Sequence, residues 1–264
     1  MKNYPDEHAN ATPTNYRTFD HGPRKGETII FLHGGNAAGW TWYGQVELMP
    51  DRHVLTPDLL GYAGRADEEW PGFAGAADDI AELIRTRAIE GRAHVVGLSL
   101  GGFVATYLLH RHPEVVRSCL MSGSALAGYS RVERAVVGAQ VGLWRQRWYW
   151  AVQAALFRIP ADSREQYIRD ASAASHRSNR AMLRETLNHR LPTGDFDFDG
   201  PVLAVAAERD SASVRRAFPT LQSVLPQTQT WIVPGVHHAW NAESPELFAR
   251  MVTEYADTGR WNRS

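Results

Sequence analysis

The hexapeptide Gly97-Leu98-Ser99-Leu100-Gly101-Gly102 constrains this chain more than any other stretch. Residues 93–97 (A-H-V-V-G) before it read as a buried strand. Residues 101–112 after it read as an apolar helix that Pro113 stops. A G-x-S-x-G at such a junction is a sharp strand-to-helix turn with a strained central residue. Side chains two positions either side of the serine would collide, so glycine stands there. The turn lifts the Ser99 hydroxyl clear of the sheet edge. It also aims a helix N-terminus, with its free N–H groups, at whatever meets that hydroxyl. Ser99 is therefore a candidate nucleophile.

The rest of the chain repeats the strand–helix rhythm. Residues 28–32 (T-I-I-F-L) form a continuous apolar run, the pattern of a strand buried on both faces. Further strands are expected at 53–56, 115–121, 201–206 and 230–233, and a short one at 15–19 behind a loose tail over 1–14. Ala77, Ile80, Ala81 and Ile84 recur at helical spacing within 74–88. Ser244-Pro245-Glu246 reads as the start of a last helix, Ser244 at the N-cap and Pro245 at the first helical position. Such alternation specifies an α/β fold with a mainly parallel sheet and right-handed crossovers. Residues 125–193 break it: they hold no strand, and 143–150 read L-W-R-Q-R-W-Y-W. The expected organisation is an α/β core over 1–124 and 194–264, with a helical insertion over 125–193. No internal repeat or low-complexity stretch interrupts this.

A serine hydroxyl needs a base to attack anything. Among the 11 histidines, His238 follows the strand at 230–233, in Pro234-Gly235-Val236-His237-His238-Ala239-Trp240. A loop at that end of a strand lies on the same rim as Ser99. His237 is the direct competitor. His94, His110 and His112 belong to core or surface elements, and His176 and His189 lie in the insertion. The base needs an acid to fix its tautomer. Asp210 ends P-V-L-A-V-A-A-E-R-D and reaches the same rim, with Glu208 as runner-up. The order Ser99, Asp210, His238 is that of a Ser…Asp…His triad. Two N–H donors would hold an oxyanion: that of Leu100, and that of Gly35 in His33-Gly34-Gly35-Asn36, where a bare backbone approaches a substrate closely.

Composition narrows the partners. With 264 residues, 44% of them hydrophobic, the chain can bury a large core without disulfides. A net charge of -1 gives no reason to expect nucleic acid or an anionic membrane. The one cysteine, Cys119, lies in the apolar run V-V-R-S-C-L-M and reads as a buried, inert thiol. No run reaches the length of a membrane helix, and the first ten residues lack the apolar stretch of a signal peptide. The expectation is a cytoplasmic monomer or homodimer acting on a small molecule, without metal, cofactor, nucleic-acid partner or membrane insertion.

These motifs resemble the α/β-hydrolase superfamily with a serine nucleophile and a helical cap, from about residue 27 to 256. The resemblance rests on His33-Gly34-Gly35, Pro57-Asp58-Leu59-Leu60-Gly61 with Arg65, the turn at 97–102, Asp210, and His238 with Glu243 and Pro245. It implies an eight-stranded, mostly parallel sheet flanked by helices, with the cap inserted after the sixth strand and covering a pocket. The short segment before residue 28 leaves the first strands reduced or missing. Asp58 is expected to brace a loop. Haloalkane dehalogenases and epoxide hydrolases resemble this chain but carry aspartate at the turn, so Ser99 argues against both. The expected reaction is hydrolysis of a small, apolar carboxylic ester or lactone through an acyl-enzyme. The alternatives are a carbon–carbon bond hydrolase, or another hydrolase of specialised metabolism, and a non-catalytic small-ligand receptor. Asn36, Trp40, Trp144 and Trp148 are candidate pocket residues, and Trp240 a packing residue. Three tryptophans within 144–150 cannot all face one pocket from a helix.

Overall fold

Seven strands form one sheet in the computed structural model, which describes residues 18–161 and 163–262. In chain order the elements are β1 (Thr18–His21), β2 (Thr28–Leu32), α1 (Tyr43–Glu47), β3 (His53–Pro57), α2 (Gly72–Arg87), β4 (Ala93–Leu98), α3 (Leu100–Arg111) and β5 (Val116–Ser122). There follow α4 (Arg131–Gln140), α5 (Arg147–Leu156), α6 (Arg164–Ala173) and α7 (His176–Leu187). The chain ends with β6 (Val202–Ala207), α8 (Ala212–Val224), β7 (Gln229–Val233), α9 (Trp240–Glu243) and α10 (Pro245–Thr258). The spatial order is β1-β3-β2-β4-β5-β6-β7. Only β1 runs antiparallel, against β3.

The expected α/β class holds, with two corrections of count. The described sheet has seven strands, not eight, and the helical insertion follows its fifth strand, not its sixth. Both arise at the start of the chain, where the short segment before β2 supplies one described strand. The described part of that strand, Thr18–His21, runs two residues past its expected end at 19. Asp20 and His21 extend it: Asp20 Oδ1 lies 2.8 Å from His53 Nε2, and the two residues pair with Leu55 and Val54. The tail expected over 1–14 and residues 15–17 lie outside the described residues.

Burial explains the apolar run in β2. Ile30 and Leu32 face one cluster with α2 and α3, while Ile29 and Phe31 face another with Trp42, Trp240 and α10. Alternate side chains point to opposite faces of a strand, so a sheet covered on both faces leaves no polar position. Cys119 is buried on the first of these faces, and burial pushes its thiol pKa up, away from the reactive thiolate form. At the other end of the chain, Pro245 opens α10 as expected, but Ser244 makes no side-chain cap. Its N–H closes α9 on the Trp240 carbonyl at 2.8 Å, which sets its backbone for the end of one helix as well as the start of the next.

Helices α4–α7 have their own small core of Trp144, Tyr149, Trp150, Ala154, Tyr167 and Leu183. Glu185 on α7 joins them to the body. Its carboxylate accepts the Trp70 indole N–H and the Phe73 N–H, each at 2.9 Å, at the N-terminus of α2 where negative charge is favourable. Ser178 Oγ accepts the Trp70 N–H beside it. Among the described residues no helix is long and apolar enough to cross a membrane.

Candidate active site

The turn after β4 is as tight as its glycines require. Ser99 has φ 53° and ψ -109°, a region that L-residues avoid. A Cβ on Gly97 would come within 2.5 Å of the Gly101 carbonyl group, and one on Gly101 would overlap the Leu32 carbonyl. Three hydrogen bonds hold the strained peptide. The Ser99 N–H donates to the Ser122 carbonyl at 2.8 Å, and the Ser99 carbonyl accepts the Gly102 N–H and the Ser124 hydroxyl. Leu100 begins α3, so its N–H belongs to the turn that has no intrahelical acceptor.

Asp210 follows β6 in a short turn. Its Oδ2 accepts the Ala207 N–H at 2.8 Å, which leaves Oδ1 directed at His238. His238 Nδ1 lies 2.6 Å from that oxygen. Burial pulls the imidazole pKa down, but the hydrogen bond and charge of Asp210 outweigh it and hold His238 above the usual 6.5. The adjacent pair resolves by partner. His237 donates its N–H to Glu243 at 2.9 Å, its Nδ1 lies 3.1 Å from the same carboxylate, and its Nε2 accepts from Arg209. Glu208, the runner-up acid, is exposed and accepts the Gly235 N–H at 2.6 Å, away from either imidazole.

The loop after β2 is held by His33. Its Nε2 accepts the Leu59 N–H at 2.9 Å, so its Nδ1 carries the proton donated to the Gly34 carbonyl at 2.7 Å. Burial lowers its pKa, consistent with that neutral tautomer. The Gly34 carbonyl also accepts the Ala37 N–H. The Gly35 N–H is trans to this carbonyl across one planar peptide and so points the opposite way. Asp58 braces the next loop, as expected: its two oxygens accept the Gly39 and Gly64 N–H groups.

A cavity of about 890 Å³ joins these pieces. Gly35, Asn36, Trp40, Ser99, Leu100, Trp144 and His238 all line it. Trp148 does not: its side chain is on the outer face of α5 with Val152 and Leu156, one and two turns on, and is 57% exposed. Tyr149 and Trp150 take the inward positions. Trp240 is fully buried and packs on Phe248, as a packing residue should. Of the insertion histidines, His189 is packed between Phe73 and Phe103 and His176 accepts from Arg145; neither lines the cavity.

Three contributors escaped the sequence reading. Gly123, at φ +71°, lies under the His238 ring, and a Cβ there would come within 2.8 Å of it. The signal was present, a glycine directly after β5 in Ser122-Gly123-Ser124. Phe157, just past the end of α5, lies beside the His238 ring, 5.8 Å between centroids. Gln45, almost fully buried, lines the cavity and donates to the Asn241 carbonyl at 2.6 Å. Nothing in the local pattern of either residue marks it for the site.

A family model described as the alpha/beta hydrolase family matches residues 29–251. An AB hydrolase superfamily protein of Gibberella zeae is 27% identical over 94% of this chain and 86% of its own length. A pimeloyl-[acyl-carrier protein] methyl ester esterase of Yersinia enterocolitica is 25% identical over 86% of this chain and 92% of its own. Among solved structures, a thermophilic esterase from Thermogutta terrifontis superposes with a TM-score of 0.73 at 18% identity, covering 93% of this chain and 94% of that one.

Proposed function

This chain belongs to the alpha/beta hydrolase family, and we propose that it is a serine esterase working through an acyl-enzyme. The observation that carries this reading is the 2.6 Å contact between Asp210 and Nδ1 of His238, a residue that lines the same cavity as Ser99. Asp210 holds the Nδ1–H tautomer, so His238 Nε2 is the nitrogen free to take a proton. Ser99 Oγ attacks the ester carbonyl as His238 Nε2 accepts its proton. The tetrahedral oxyanion rests on the N–H groups of Gly35 and Leu100. His238 then protonates the leaving alcohol, activates a water, and the acid is released. Residues 125–193 act as a cap that shapes the substrate's surroundings. The substrate is a carboxylic ester or lactone, a reading in keeping with the esterase named among the relatives.

The test is titration with a serine-directed phosphonate, followed by mass spectrometry and assay on a short p-nitrophenyl ester. One adduct per chain on Ser99, with loss of activity in step with labelling, is expected. An unlabelled chain under conditions that label a control esterase points to a ligand receptor instead.

A further inference from the structure

Among the described residues, the cavity wall contains no Asp, Glu, Lys or Arg. Its titratable side chains are His238 and three tyrosines, Tyr43, Tyr149 and Tyr167. Three polar side chains of the far wall are neutral and bond one another: Gln153 Nε2 donates to the Tyr149 hydroxyl, and that hydroxyl donates to Gln140 Oε1, each at 2.8 Å. Charges of both signs stand behind the wall: Arg164, exposed on α6, donates to the Ile159 carbonyl at 2.9 Å, and three carboxylates stand there too. Asp170 accepts the Trp40 indole N–H at 2.7 Å, Asp58 accepts the Gly39 N–H, and Asp210 holds His238. Burial already pushes the Asp170 carboxyl above its usual range. The space, about 890 Å³, is far more than a short methyl ester fills.

We propose that this cavity selects esters that are uncharged along their whole length, with an extended apolar or aromatic group lying against α4 and α5, and rejects esters bearing a carboxylate or phosphate at the far end. The inference rests on the esterase reading of Ser99 and adds the class of substrate. A far-end carboxylate would lose its water against Trp144, Trp150 and Phe157 with no cation to replace it.

Two substrates of the same chain length isolate the charge: dimethyl suberate and monomethyl suberate. Binding is read by tryptophan fluorescence on Ser99→Ala, and turnover on the unaltered protein. Monomethyl suberate is expected to bind about a hundredfold more weakly than the diester and to lose kcat/KM by a similar factor. Gln153→Arg, which places a cation on the wall, should recover about tenfold or more of the monoanion's affinity relative to the diester. Gln153→Met should not, and Gln140→Arg repeats the gain from another position. Equal affinity for the two esters, or no gain from either arginine, overturns the proposal. Selective binding with no turnover of any ester overturns the esterase reading instead and leaves the selectivity standing.

Discussion

His238 and Asp210 face each other across 28 residues of sequence, their Nδ1 and Oδ1 atoms 2.6 Å apart. The contact does two things: it fixes the tautomer and it raises the imidazole pKa above 6.5 against the pull of burial. A base raised in this way is protonated, and idle, until the pH climbs through its own pKa. The acid limb of kcat/KM should therefore lie above pH 6.5. Asp210→Asn removes the charge, so the limb should move to lower pH while kcat at neutral pH falls by about three to four orders of magnitude. A pH profile of ester hydrolysis for both proteins checks this; an unmoved limb would assign the titration elsewhere. The same shift affects stability. The protonated imidazole favours the folded state, so the stabilisation is complete below pH 6.5 and is lost as pH rises through the folded pKa.

The doubled histidine gives a sharper comparison. His237 is tied to Glu243 and Arg209, His238 to Asp210. His238→Ala should cost kcat about a thousandfold or more, with KM little changed. His237→Ala should cost less than about tenfold and act through the loop, with Tm lowered slightly because the Glu243 brace loses a partner. Steady-state kinetics beside thermal unfolding separate the two. A severe His237→Ala and a mild His238→Ala would move the base by one residue.

How much of this was legible in the sequence follows from the range of each interaction. Ser99 was readable because its constraints are local: the glycines that spare it collisions lie within three residues of it. Asp210 and His238 were readable as rim positions, because both end strands of a parallel sheet. The choice of His238 over His237 was not, since it depends on which imidazole meets a carboxylate from another strand. The pocket wall was least legible. Trp144 lies in the turn before α5 and Trp148 within it, and only the packing of α5 against α6 around their shared core sends one inward and the other to solvent. Gly123 marks the same boundary: a glycine after a strand is visible, but the ring it makes room for arrives from 115 residues away.

The strain at Ser99 has a measurable consequence. At φ 53° and ψ -109° a Cβ is costly, and alanine pays that cost as fully as serine. Ser99→Ala should thus abolish hydrolysis with Tm nearly unchanged. Ser99→Gly should abolish hydrolysis and raise stability, by about 1 kcal/mol or more once the strain relieved is set against glycine's extra unfolded-state entropy. Urea unfolding of the three proteins at one pH decides it. A glycine variant no more stable than the alanine variant would show that the turn carries no net strain.

His33 offers the last test, because it lies outside direct reach of the reacting atoms and acts through the Gly34 carbonyl. It is buried, neutral and bonded at both nitrogens, one to the Leu59 N–H and one to that carbonyl. His33→Ala removes the shorter of the two bonds on the Gly34 carbonyl, leaves the 3.3 Å bond from the Ala37 N–H, and so loosens the Gly35 N–H. Turnover should fall by about ten- to a hundredfold, less than the loss expected on removing an oxyanion donor outright. KM should hold, because the ester's ground-state contacts lie elsewhere on the wall. The buried Leu59 N–H loses its acceptor as well, which should cost about 1–3 kcal/mol of stability. His33→Asn, whose amide can accept from one side and donate to the other, should recover part of the turnover. If His33 only stabilised the fold, kcat measured well below each variant's Tm would match that of the parent; a depressed kcat in fully folded His33→Ala, partly restored in His33→Asn, marks it as the residue that aims Gly35.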